Sequence, residues 1–323
     1  MEAERAGRFE EEYNRLLPLG LSTYIQGYQL LTNSNADQAK AQLRDFVQRL
    51  VATGANDIAS ALTTLCQAQG TCDIRQELAR LGFGESKIAI LMQFYEQARD
   101  RFYTPEERQQ LHSDVCTILQ HIPRGDMRVF HVVGALFEAI FKNMHIDPVV
   151  HKAIIRVAAQ GITNGWQLMA LDRVGGPLPF RIVFYHPNFL TTQGPRQTLF
   201  LVNFFNVSGF DPNNVIDWIS KTIRDWNVRL MAAQRLFGVN ANFGLIGAVL
   251  VGATSVGQIS GMLDALRNAY RNWDGAIFIV WVDSAGRVWF VCIGQGCGLL
   301  TSSQQQEVAC MLAGRSTDCG ATR

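Results

Sequence analysis

Along the first half of the chain, apolar residues recur at helical spacing. The stretch "ADQAKAQLRDFVQRLVATG" sets Ala39, Leu43, Phe46, Val47 and Leu50 on one face and stops at Gly54. A second helix is expected from Ser86 through "SKIAILMQFYEQARDRFY". The next, "TPEERQQLHSDVCTILQHI", has Thr104 as cap, Pro105 and two acids in its first turn, and Pro123 just past its end. "DMRVFHVVGALFEAIFKNM" is apolar nearly all round, which predicts a central, buried helix. Residues 1–165 therefore read as a helical bundle.

Past "RVGGPLP" the period changes. "PFRIVFYHPNF" and "QTLFLVNFFNVSG" are rich in β-branched and aromatic residues and are joined by the turn-forming "LTTQGPR", which predicts a hairpin. One helix is expected over "DPNNVIDWISKTIRDWNVRLMAAQRLFG", with Asp211 as cap, Pro212 in its first turn and Ile219, Ile223, Trp226 and Leu230 as its apolar face. A strand "FGLIGAVLVG", a helix "SVGQISGMLDALRNAYRNW", a hairpin over 275–300 and a short helix near "SQQQEVACMLAG" complete the pattern.

The predicted class is α+β: an N-terminal helical domain (1–165), then a mixed, largely antiparallel sheet with packed helices (166–300). A C-terminal helix and tail (301–323) form a candidate oligomerisation arm: the helix is expected to pack Val308, Met311 and Leu312, and the tail from Gly314 onward to be either disordered or ordered by a neighbouring copy. In the late hairpin, Ile277, Ile279 and Trp281 alternate with Phe278, Val280 and Val282, so both faces are apolar. It is either a doubly covered core element or a sheet shared between copies.

Composition adds a shortage of charge. Apolar residues make up 48% and charged residues 18% of the 323, against an ordinary charged share of about 25%. The deficit favours surface buried in an oligomer. Residues 1–110 hold 12 Lys and Arg against 15 Asp and Glu, whereas the remainder holds 17 against 13. Arg outnumbers Lys 24 to 5, and its planar fork suits phosphate and stacked bases. The seven Cys form no spacing framework, the start is charged and amphipathic, and no apolar run reaches bilayer length. Free, mostly buried thiols in a reducing, cytoplasmic setting are expected, with no membrane partner.

Candidate chemistry is sparse. "GAVLVGATS" and "GATSVGQ" have P-loop spacing without the Lys, Gln258 standing where it is required, so the turn at Gly252, Thr254 and Ser255 is at most an anion-binding site. His112 and Cys116 stand one helical turn apart without a second ligand pair, and no metal or other cofactor is expected. Cys297 lies between two Gly in "GQGCGLL". Lys221, Arg224, Arg229 and Arg235, with Arg267 and Arg271 on the next helix beside Tyr270, make a set suited to tracking phosphates.

The leading expectation is a non-enzymatic, self-assembling structural protein that binds RNA or single-stranded nucleic acid. Viral proteins that build replication compartments have this general character, although no motif ties the chain to a family. The alternatives are an enzyme acting on a nucleotide or phosphorylated substrate at the Gly252 turn, with His186 or Cys297 as its chemistry, and a pure protein-interaction module.

Overall fold

The computed structural model describes residues 72–173, 180–316 and 319–322; the helix expected over 36–54 lies outside them. The chain divides into two units, Met1–Cys72 and Asp73–Arg323, and every described residue but Cys72 belongs to the second. This unit is α+β, with one six-stranded mixed sheet.

It opens with α1 (Ile74–Arg80), α2 (Glu85–Phe102) and α3 (Pro105–His121). The α3 start is a reciprocal cap: Thr104 Oγ1 accepts from the Glu107 N–H at 3.3 Å and the Glu107 carboxylate accepts from the Thr104 N–H at 2.9 Å. The segment read as a buried helix is a π-helix, Val129–Phe141, buried along Val132, Val133, Leu136, Phe137 and Ile140. Its wider winding turns Phe130 outward, where 80% of that residue is exposed. Helix α4 (Pro148–Thr163) follows, capped by the Asp147 carboxylate.

The strands are β1 (Gln167–Arg173), β2 (Phe180–Thr191), β3 (Gly194–Asn206), β4 (Phe243–Ala253), β5 (Ala276–Val282) and β6 (Val288–Ile293), in that spatial order. The first three form an antiparallel meander, β3, β4 and β5 run parallel, and β6 returns antiparallel. Both parallel connections are helical, as crossover geometry demands: α5 (Pro212–Arg224) and α6 (Trp226–Phe237) join β3 to β4, and α7 (Val256–Tyr270) joins β4 to β5. After β6 come a 3₁₀ turn (Gln295–Leu299) and α8 (Ser302–Leu312).

Two layers of helix cover the sheet. On one face Ile246, Leu250, Ile277, Ile279 and Trp281 pack under Val215 and Ile219 of α5 and Ile259, Met262 and Leu266 of α7. On the other, α4 brings Gly161 against the Phe184 ring and α8 brings Leu312 over Gly247. Phe278 stacks on Phe290 with centroids 6.3 Å apart, and both are fully buried. Each such side chain removed from water contributes about 1.5–3 kcal/mol. The late hairpin is thus a core element covered on both faces.

Four expectations change. The long helix over 211–238 is two, because the chain leaves helical geometry at Asp225, which closes α5 and precedes α6. An unread strand, β1, pairs with β2 along one edge of the sheet. At that edge the Leu168 N–H donates to Nε2 of His121 at 3.2 Å, so the imidazole is neutral, with its proton on Nδ1. Burial and the neighbouring Arg128 push His121 down to about 4.

The thiols of the described residues are not free. The turn after β6 folds Cys297 back onto Cys292, and the chain past α8 returns Cys319 to Cys310; both pairs are disulfides, with Cα separations of 5.9 and 5.7 Å. Cys72 and Cys116 are also disulfide-bonded. Such bonding suits a non-reducing setting rather than the expected reducing one. The tail is held by its own chain: Thr322 donates to Val288 O and accepts from the Phe290 N–H, adding a parallel bridge beside β6, and Ala321 is buried. Among the described residues no helix is long and apolar enough to cross a membrane.

Candidate nucleic-acid interface

Helices α5 and α7 each follow a strand of the same parallel set, so they run side by side in the same direction and finish toward the same end of the strands. Lys221 and Arg224 occupy the last turn of α5, Arg267 the last turn of α7, and Arg271 its cap. Tyr270 Oη donates to Ser220 Oγ at 2.6 Å and ties the two ends together. All four basic residues are exposed, the Arg224 side chain by 74%. Cations there also complement the negative ends of the helix dipoles. Acids temper the patch: Asp225 lies 3.9 Å from Arg224, and Asp264 lies 3.4 Å from Arg267. At these exposures such pairs are worth little and leave the guanidinium groups free to exchange partners.

The other two basic residues stand elsewhere. Arg229 follows the break at Asp225 and turns inward: its side chain is 6% exposed, 3.5 Å from Asp225, with its guanidinium 5.7 Å from the centre of the Phe180 ring. Arg235 is exposed near the far end of α6, nine residues or about 14 Å along it from Trp226. The structure gathers four of the six.

The Gly252 turn lies at the opposite end of β4. Gly252 has φ +109°, and a Cβ there would meet Val207 at 2.4 Å, which accounts for the glycine without a ligand. The Thr254 N–H donates to Val282 O at 3.0 Å, while Gln258 Oε1 accepts from the Ser255 N–H and the Thr254 hydroxyl, both at 2.9 Å. Gln258, which stands where a P-loop would carry Lys, therefore takes up the donors an anion would use.

The residues of the enzyme alternative do not converge. His186 pairs with Thr198, itself beside Phe243 at the start of β4, whereas Gly252 is nine residues further on, about 30 Å away at strand rise. Cys297 is bound to Cys292 and holds no thiol. Cys116 Sγ lies 3.7 Å from His112 Nε2, but it too is in a disulfide, and no cluster of three metal-ligating side chains occurs among the described residues.

A second titratable group holds the fold together. Asp114 of α3 accepts from Arg156 Nη1 at 2.7 Å and from Gln110 at 2.9 Å, and Arg156 Nε donates to Gly314 O at 2.9 Å. Burial lifts Asp114 to about 6 despite its cation. The arrangement clamps α3, α4 and the end of α8.

The structure thus defines an α+β unit with a mixed six-stranded sheet and a basic surface where two parallel helices end. No protein-family model, curated protein or solved structure matches the chain.

Proposed function

We propose that this chain is a non-enzymatic, self-assembling structural protein that binds RNA or other single-stranded nucleic acid. Its phosphate contacts are Lys221, Arg224, Arg267 and Arg271. The observation that carries the reading is the Tyr270–Ser220 hydrogen bond, which turns bases on two helices into one exposed surface with a half-buried aromatic ring in it. Cations that follow the backbone, with aromatic contact to bases, are what sequence-tolerant single-strand binding requires. Self-association is supported by the low charged fraction, 18%, and by large apolar side chains left in water, Phe130 at 80% and Ile146 at 71%.

The test is retention of a labelled RNA oligonucleotide as salt is raised, with the mass of the protein measured by light scattering. Four phosphate contacts at about −0.7 each give a logarithmic salt slope of about −3. Replacing Arg224 and Arg271 together by Glu abolishes retention with an unchanged circular dichroism spectrum. Wild-type protein that retains no oligonucleotide at low salt overturns the binding, and a monomeric mass at micromolar concentration overturns the assembly.

A further inference from the structure

A groove of about 330 Å³ opens between the end of α4, the far half of β2 and α8, within the size range of small-molecule sites. Its aromatic wall comes from an irregularity in β2. The pairing with β3 slips between His186 and Phe189, and such a bulge re-aims the side chains beside it. Phe189 lies against Trp166, centroids 5.0 Å apart, and His186 meets Trp166 edge-on at 5.4 Å.

The polar groups of the groove have assigned directions. His186 Nδ1 accepts from the Asn188 N–H at 3.1 Å, so the ring's remaining proton is on Nε2; burial holds this imidazole below its ordinary range and hence neutral. Gly165, glycine by its φ of +85°, lies beside that nitrogen: a Cβ there would stand 3.7 Å from Nε2, in ordinary contact with it. Asn164 spends its amide N–H on Gln160 O at 2.7 Å, which leaves its carbonyl oxygen as an acceptor. Gln304 is used at both ends, donating to Leu190 O and accepting from the Thr301 N–H. Glu307 is exposed; one carboxylate oxygen accepts from Ser303 at 3.1 Å, and a carboxylate has capacity for several more donors.

We propose that this groove binds an unstacked nucleobase, guanine before the others, its plane against Phe189, which the buried Trp166 backs, and its edge between Glu307 and His186. Among the described residues, the only ionisable acid or base lining it besides His186 is a carboxylate, which repels phosphate and accepts N–H. Guanine offers adjacent N1–H and N2–H₂ donors to one carboxylate and acceptors at O6 and N7, one of which takes the His186 Nε2–H. Adenine and cytosine bring an amino group alone, and uracil only a ring N–H.

The proposal rests on the reading of the chain as a single-strand binder, and the two surfaces lie toward the same end of the strands, on opposite faces of the sheet. Trp273, two residues past Arg271, accepts from the Gln295 N–H at 2.7 Å; Leu299, at the end of that 3₁₀ turn, accepts from the Thr192 N–H at 2.8 Å; and Leu190 accepts from Gln304 at 2.7 Å. A strand held by Arg267 and Arg271 on the α5–α7 face would pass round the ends of the strands to reach the groove on the α4–α8 face.

The experiment is calorimetric titration of the full chain with guanosine, adenosine, cytidine and uridine, which carry no phosphate and so do not call on the basic patch. The expected result is saturable binding with guanosine tightest and uridine weakest, and a loss of roughly tenfold or more for guanosine in Glu307→Gln. The Arg224→Glu/Arg271→Glu protein keeps wild-type guanosine affinity while it loses the oligonucleotide. No saturable guanosine binding, equal affinity for guanosine and uridine, or unchanged affinity in Glu307→Gln overturns the proposal. An oligonucleotide retained without any nucleoside binding also overturns it and leaves the basic patch standing. Guanosine bound with no oligonucleotide retained supports the groove and overturns the patch.

Discussion

Gly161 lies inside α4 with its Cα facing the ring of Phe184 in β2. A Cβ built there stands 2.2 Å from Cζ, 2.4 Å from Cε1 and 3.0 Å from Cε2, where carbon atoms need roughly 3.5–4.0 Å. The ring would have to retreat by more than about 1 Å. It is fully buried and hemmed in by Trp166 and Phe200, each 6.2 Å away between centroids. Overpacking of this kind costs about 1–3 kcal/mol, and so tight a clash calls for the upper end. Replacing glycine by alanine inside a helix returns about 1 kcal/mol. Gly161→Ala should therefore destabilise the unit by about 2 kcal/mol, or about 4–8 °C in melting temperature for a domain of this size. Gly261→Ala in α7 supplies the counterpart: it is exposed, with nothing within 4 Å of the added methyl, and should melt about 2–4 °C above wild type. Thermal unfolding followed by circular dichroism reads both. A Gly161→Ala protein that melts at or above wild type would refute the close packing of α4 on the sheet.

Two further predictions concern ionisation and covalent closure. His121 must stay neutral to accept from Leu168, and its folded pKa of about 4 lies below the ordinary histidine value of 6.5. The unfolded chain therefore binds the proton first, and stability present above about pH 6.5 is lost as pH falls toward 4, by up to about 3 kcal/mol. Asp114, raised to about 6, acts the other way between about 6 and 3.8, so the measurement compares urea midpoints of wild type and His121→Gln at pH 7 and 4.5; an equal acid loss in both would exclude the imidazole as its source. Converting Cys310 and Cys319 to Ser opens a loop with a sequence separation of nine and should lower stability by about 2–3 kcal/mol in the chain-entropy account; an unchanged urea midpoint would count against that bridge.

Where local pattern and tertiary environment agree, the elements could be read directly. Thr104 with Glu107 three residues on marks the start of α3, and the apolar faces of 276–282 mark a strand buried on both sides. β1 escaped because Leu168, Met169, Ala170 and Leu171 show no alternation and suit a helix equally well; only pairing with β2 makes them a strand. Nothing in composition marks the break at Asp225, with no Gly or Pro near it, yet that break turns Arg229 inward and separates Arg235 from the rest. The basic patch was thus legible as residue types and spacing but not as membership. The disulfides depend on turns that bring Cys297 and Cys319 back, which spacing cannot express. His186 and Phe189 read as parts of a continuous strand, and the groove they line exists only because the register slips between them.

Backbone groups on both sheet margins are already taken by the chain itself, which restricts how copies of this chain can meet. At one margin an imidazole occupies the Leu168 N–H; at the other the chain's own Thr322 occupies Val288 O and the Phe290 N–H. An incoming strand from a second copy would find its hydrogen-bonding positions there already filled and would have to displace a tail anchored through Cys319. Lateral growth of the sheet, the route by which apolar β-rich proteins run on into fibres, is stoppered at those points. If copies of this chain assemble as proposed, helices or loops supply the contacts, and interfaces of that kind can close into discrete particles of fixed size.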